Sequence, residues 1–183
     1  LKLSKNITHI RRSAIHGCQS LETLIMPSAL QEIGISAFQM CIKLNNVVLP
    51  DTCTVIEEQA FMMCSSLSNI RVPDTNEFIG ARAFMSTALK TFEIPRDTEI
   101  IPYNPFVTCY IETITVDKDN NHFAVVDNAL YNKDITKLIT LPAGGVTNVY
   151  TAPSTLKTIE SYAFADTVKI NNFVLNEGLQ SIN

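Results

Sequence analysis

Apolar positions recur along this chain in a fixed set rather than with one helical or strand period. Four short runs alternate and then stop at proline: Leu24-Ile25-Met26-Pro27, Val47-Val48-Leu49-Pro50, Ile70-Arg71-Val72-Pro73 and Phe92-Glu93-Ile94-Pro95. Later copies replace the proline, as in Ile114-Thr115-Val116-Asp117 and Phe173-Val174-Leu175-Asn176. Such alternation predicts short strands that point their apolar residues inward and the residue between them outward. The proline brings no N–H and so ends each ladder. Six residues beyond the proline position an isoleucine returns: Ile33, Ile56, Ile79, Ile101, Ile159 and Ile182. An Ala-Phe pair follows at Ala37-Phe38, Ala60-Phe61, Ala83-Phe84 and Ala163-Phe164, with Ala14-Ile15 and Pro105-Phe106 as variants. Its successive steps are 23, 23, 23, 22 and 58 residues.

A unit of this length cannot bury its own apolar side and must stack on its neighbours. The Ala-Phe segment reads as a small turn or short helix. Alanine allows close approach between coils, and phenylalanine fills the interior. The expected fold class is an α/β solenoid, strand-dominated with short helical or 3-10 turns, and with a parallel sheet and about 23 residues per coil. Residues 1–183 read as one such array. Leu1 and Asn183 both fall inside a pattern, which reads as a piece of a longer protein. Residues 117–153 break the period. Phe123 to Pro142 alternate like strands, with Asn132-Lys133-Asp134 as a turn and Gly144-Gly145 as a loop. An enlarged, β-rich coil with a protruding hairpin is expected there, after which Tyr150–Pro153 restores the register.

The unit L-x-x-I-x-x-x-A-F-x-x-C-x-x-L-x-x-I-x-L-P, matched almost throughout from Leu30 to Pro50, resembles the BspA-type (treponemal) leucine-rich repeat. The segment carrying Phe123, Asp127, Leu130, Tyr131, Lys133, Asp134, Leu138, Ile139 and Pro142 is similar to a second feature of that family. Thr87 and Thr167 depart from its cysteine column, and Asp117 and Asn176 from its proline. The resemblance implies a right-handed leucine-rich-repeat superhelix of a surface or secreted protein, and a non-enzymatic adhesin-like role toward host or extracellular-matrix proteins.

Composition narrows the chemistry. Hydrophobic residues make up 46% and charged residues 17%, ample for a core, and the net charge is −4. There is no basic stripe for nucleic acid and no apolar run near the roughly 18 residues of a membrane span. Cys18, Cys41 and Cys64 repeat at the coil period, and Cys109 rejoins the column two coils later. Cys53 takes the column of Leu30 and Leu156. These spacings read as core packing rather than as a metal site. Asp117-Lys-Asp-Asn-Asn121 starts like a calcium loop, but His122 and Asn128 stand where glycine and glutamate belong. His9, His16 and His122 sit in different parts of the repeat, and no cofactor or catalytic residue is assigned. Asn6-Ile-Thr8 fits a glycosylation sequon.

The remaining candidate is the outward stripe of the strands: Thr23, Ile25, Asn46, Val48, Asn69, Arg71, Thr91, Glu93, Thr113, Thr115, Asn172 and Val174. Such a row lines one face of a solenoid, the usual binding surface of repeat arrays. Arg71 is the expected anchor, since arginine is enriched at binding hot spots. The favoured expectation is a protein-binding module, using this face or the enlarged coil. The alternatives are a passive spacer and a carbohydrate-binding role, the latter disfavoured by a stripe without aromatic residues.

Overall fold

The alternating runs form strands, and equivalent strands of successive coils pair in parallel. The computed structural model describes residues 1–145 and 148–183. In chain order the strands are β1 (His9–Ile10), β2 (Glu32–Ile33), β3 (Asn46–Val48), β4 (Val55–Ile56), β5 (Asn69–Arg71), β6 (Phe78–Ile79), β7 (Thr91–Ile94) and β8 (Thr113–Val116). They continue with β9 (Phe123–Val126), β10 (Ala129–Asn132), β11 (Lys137–Thr140), β12 (Val149–Thr151), β13 (Thr158–Ile159), β14 (Asn172–Val174) and β15 (Ser181–Ile182). Together they build a parallel-strand β-solenoid of about seven turns with about 23 residues per turn.

One column stands on the recurring isoleucine: Ile10, Ile33, Ile56 and Ile79 are in register through β1, β2, β4 and β6. A second column, at the alternating runs, carries β3, β5, β7, β8, β12 and β14. Between the two lies the core. Phe38, Phe61, Phe84 and Phe106 stack nearly face to face, with ring centroids 5.3, 5.9 and 5.8 Å apart. Removing one such ring from a closed core costs about 3–5 kcal/mol, so this ladder binds the coils to one another.

The α/β class and the helical or 3-10 turns are corrected by the structure: among the described residues there is no helix. The Ala-Phe segment alternates its amides instead. Ala37, Gln39 and Cys41 donate back three residues, to Gly34, Ser36 and Phe38. Ser36, Phe38 and Met40 donate across to Glu58, Ala60 and Met62 of the next coil. Left-handed residues re-aim the chain at Ser36 (φ 54°) and Met40 (φ 62°), and again at Gln59 and Met63 in the next coil. Each such residue costs about 1–2 kcal/mol. A helix would avoid that cost but turn every amide onto its own coil and forfeit the inter-coil bonds.

In the enlarged coil β9 and β10 form a hairpin, closed at Asp127 (φ 49°) and Asn128 (φ 64°), both left-handed as a tight type I′ turn requires. The chain turns again after Asn132, whose Oδ1 accepts the amides of Thr136 and Lys137. β11 then returns to the isoleucine column beside β13. The hairpin does not protrude as expected: Ala129, Leu130 and Tyr131 are essentially inaccessible, so β10 is laid into the stack. The 58-residue excursion closes on the place it left. Asn104 Nδ2 donates to the Tyr162 carbonyl, and the Thr108 amide to Asp166 Oδ2, each at 2.8 Å. Residues 146 and 147 of the expected enlarged coil are outside the described residues.

Candidate ligand-binding face

Strand pairing gathers the outward stripe into three exposed groups. Thr23 lies beside Asn46, Asn46 beside Asn69, and Val48 beside Arg71. Thr91 faces Thr113, and Glu93 faces Thr115. Asn172 and Val174 lie beside Val149 and Thr151. The sequence reading omitted Val149 and Thr151, although the alternation about Tyr150 carries the signal. All twelve expected residues are exposed. Ile25 (61%) and Val48 (51%) are apolar members of the stripe. Asn69 Nδ2 donates to Asn46 Oδ1 at 2.7 Å, a side-chain rung added to the backbone ladder.

The stripe is not one continuous sheet. β7 pairs β8, and β12 pairs β14 without meeting β8; β3 pairs β5, but β5 and β7 are not paired. The cause is local. Two residues separate Cys64 from Leu67, but only one separates Thr87 from Leu89. The two-residue turn at Ser65–Ser66 has no counterpart in the shorter coil. The chains stay pinned at either end, by the Ala88 amide to the Leu67 carbonyl and the Asp97 amide to the Asp74 carbonyl, both 2.9 Å. Between the pins they part, and most Cα pairs of β5 and β7 are more than 8 Å apart. A cleft of about 520 Å³ opens there, bordered by Asn69, Arg71, Asp74, Thr91, Glu93 and Asp117.

The main chain facing this cleft follows from ladder alternation. Leu49 donates to the Arg71 carbonyl and Asn69 to the Asn45 carbonyl, so those β5 residues face β3 and Ile70 faces the cleft. Thr113 donates to the Lys90 carbonyl and Asp117 to the Ile94 carbonyl, so Thr91 and Glu93 face the cleft from the other side. Among the described residues the N–H and C=O groups of Ile70, Thr91 and Glu93 have no hydrogen-bond partner within the chain.

Charge around the cleft is acidic. Arg71 Nη2 donates to Asp51 Oδ1 at 2.8 Å and Nη1 to the Leu49 carbonyl at 3.0 Å, so the expected anchor leans toward β3. At the rim Arg96 donates through Nε and Nη2 to Asp97, at 2.8 and 2.9 Å. That pairing raises the guanidinium above its ordinary range and lowers the Asp97 carboxyl. Both arginines are thus engaged, while Asp74 and Glu93 make no ion pair among the described residues. Sequence reasoning left Asp74 and Asp117 out of the stripe because they follow the strands.

Other candidate groups fall apart spatially. His9 approaches Glu32 at 3.7 Å, His122 approaches Glu99 at 3.9 Å, and His16 is exposed elsewhere. Asn120, in the stretch that starts like a calcium loop, is 1% exposed. Its Nδ2 donates to the Pro95 and Thr98 carbonyls, and its Oδ1 accepts the His122 and Phe123 amides. Among the described residues no group of three or more metal-ligating side chains is gathered. No described helix is long and apolar enough to cross a membrane.

The fold recurs in solved bacterial structures. The pneumococcal vaccine antigen PcpA superposes with a TM-score of 0.87 at 25% identity, over 99% of this chain and 46% of that one. A leucine-rich cell-surface protein from Faecalibacterium prausnitzii gives 0.73 at 25% identity, over 100% of this chain and 59% of that one. A leucine-rich-repeat protein from Eubacterium ventriosum shares the fold at 0.70 and 21% identity, over 96% and 50% of the two chains. This chain therefore spans about half the length of these relatives. No curated protein matches it. The model of the BspA-type leucine-rich-repeat region matches six copies, over residues 1–112 and 127–183, and the chain belongs to that family.

Proposed function

We propose that this chain is a non-enzymatic protein-binding module of a cell-surface or secreted protein, taking its ligand on the strand face. The observation that carries the reading is an exposed stripe whose ladder opens into a cleft with unpaired main-chain groups. Surface placement is supported by two of the similar structures, one described as a cell-surface protein and one as a vaccine antigen. Leucine-rich repeats are in general protein-interaction modules, and a concave or ridged repeat face suits a macromolecular partner. The stripe carries no aromatic platform of the kind that stacks on sugars.

The test is binding of the purified chain to a panel of extracellular-matrix proteins and host cells, with Arg71→Ala measured beside it. The expected result is saturable binding that weakens at least fivefold in the variant, about 1 kcal/mol for an interface arginine. Arg71 is exposed, and among the described residues its side chain bonds only Asp51 and the Leu49 carbonyl, so the variant folds. Binding unchanged by Arg71→Ala and by Thr113→Arg moves the ligand off this face. No binding by the folded chain overturns the reading.

A further inference from the structure

We infer that the cleft between β5 and β7 takes one extended segment of a partner protein as an inserted strand, with basic side chains on its outward positions. This rests on the strand-face reading and adds a second contact for the same partner, beside the one made at Arg71 on the β3 side of the gap. An inserted strand needs three things, and the cleft has each. It needs hydrogen-bonding edges on both sides. Ile70 presents an N–H and a C=O from one wall, and Thr91 and Glu93 present theirs from the other. All belong to parallel strands, so one segment running with them could pair with both walls. Buried strand edges are normally kept paired or covered, and these two face each other across open space.

It also needs room. Paired strands stand about 4.8 Å apart, so a third strand between two others requires about 9.6 Å. β5 and β7 are unpaired, few of their Cα pairs come within 8 Å, and a cavity of about 520 Å³ lies over them and β8, so the gap is wider than one strand spacing. A small further opening completes the fit, because among the described residues the hydrogen bonds tying the two walls are those at the Leu67–Ala88 and Asp74–Asp97 pins. The walls are short, so the segment that fits is about four residues long, roughly 13 Å.

Finally it needs a reason to choose. Ile70 and Phe92 border the inward side, which suits small apolar residues. Asp74, Glu93 and Asp117 border the cleft outside, against Arg71, which is spent on Asp51. Alternation then selects a segment with small apolar residues inward and Lys or Arg outward. The carboxylates steer it, and the main chain holds it.

The probe is a fluorescein-labelled, acetylated and amidated heptapeptide of alternating lysine and valine, read by anisotropy on the whole chain. Two controls share its charge: the same peptide N-methylated at its central amides, and one with the lysines in a block. One-to-one binding is expected, at least tenfold weaker for the N-methylated peptide. It is also expected to be at least fivefold weaker in an Asp74→Asn, Glu93→Gln double variant. Equal binding of all three peptides would mean mere charge attraction and overturn the inserted strand. Should none bind while a ligand from the panel still depends on Arg71, the inserted strand falls and the strand-face reading stands. If neither binds, both fall.

Discussion

Cys41, Cys64 and Cys109 share one corner of their coils, and each thiol donates to a carbonyl of the preceding coil. The acceptors are Ile15 at 3.1 Å, Phe38 at 3.1 Å and Phe84 at 2.8 Å. A thiol fits because it is small, apolar enough for the core and still a weak donor. The 23-residue recurrence made the column legible as core, but which atom the thiol meets depends on the left-handed turn before it. Burial pushes Cys53 up to about 12 and raises Cys109, while the hydrogen bond with Cys41, and burial after it, raises Cys64. Tyr131 and Tyr150, whose hydroxyls meet at 3.0 Å, are raised chiefly by burial. The sign follows from linkage: these groups are held neutral in the fold, while the unfolded chain ionises from about pH 9. Their stabilisation is complete below that pH and is lost as pH climbs toward 12. The urea midpoint should therefore stay level from pH 7 to 8.5 and fall clearly by pH 10.5. A flat profile would show that these groups are not held neutral.

At the scale of one element, asparagine ties down the turn after a strand in both coils that lack the proline. Where proline is lost at Asp117, Asn120 bonds four main-chain groups of two coils. Where it is lost at Asn176, that asparagine donates to the Pro153 and Leu156 carbonyls and accepts the Gly178 amide. Asn120→Ala leaves several of these groups short of partners and should cost about 3 kcal/mol, read from chemical denaturation. A cost below about 1 kcal/mol would mean that water replaces the side chain freely. The strands were legible because period-two alternation ties burial directly to sequence. Their turns were not. Met40, Gln59 and Met63 adopt positive φ although nothing in those side chains favours it. Tertiary hydrogen bonds to the next coil impose it, and no local pattern records them.

Across the whole molecule the central feature is a strand ladder interrupted between β5 and β7, with paired strands on either side. The exposed stripe could be read residue by residue, since each member sits between inward apolar positions. The cleft could not. It follows from a single missing residue before Leu89, visible in the sequence only as a one-residue slip in alignment. A slip can be absorbed in a turn or passed to the strands, and only the pins at Ala88 and Asp97 show that the strands take it. The most direct test is amide hydrogen exchange resolved by residue. Amides inside closed ladders, such as Phe92 and Thr115, should exchange slowly, and those of Ile70, Thr91 and Glu93 should exchange at least a hundredfold faster. Uniformly slow exchange across β5 and β7 would mean a closed ladder with no edge to offer a partner, and would contradict the account.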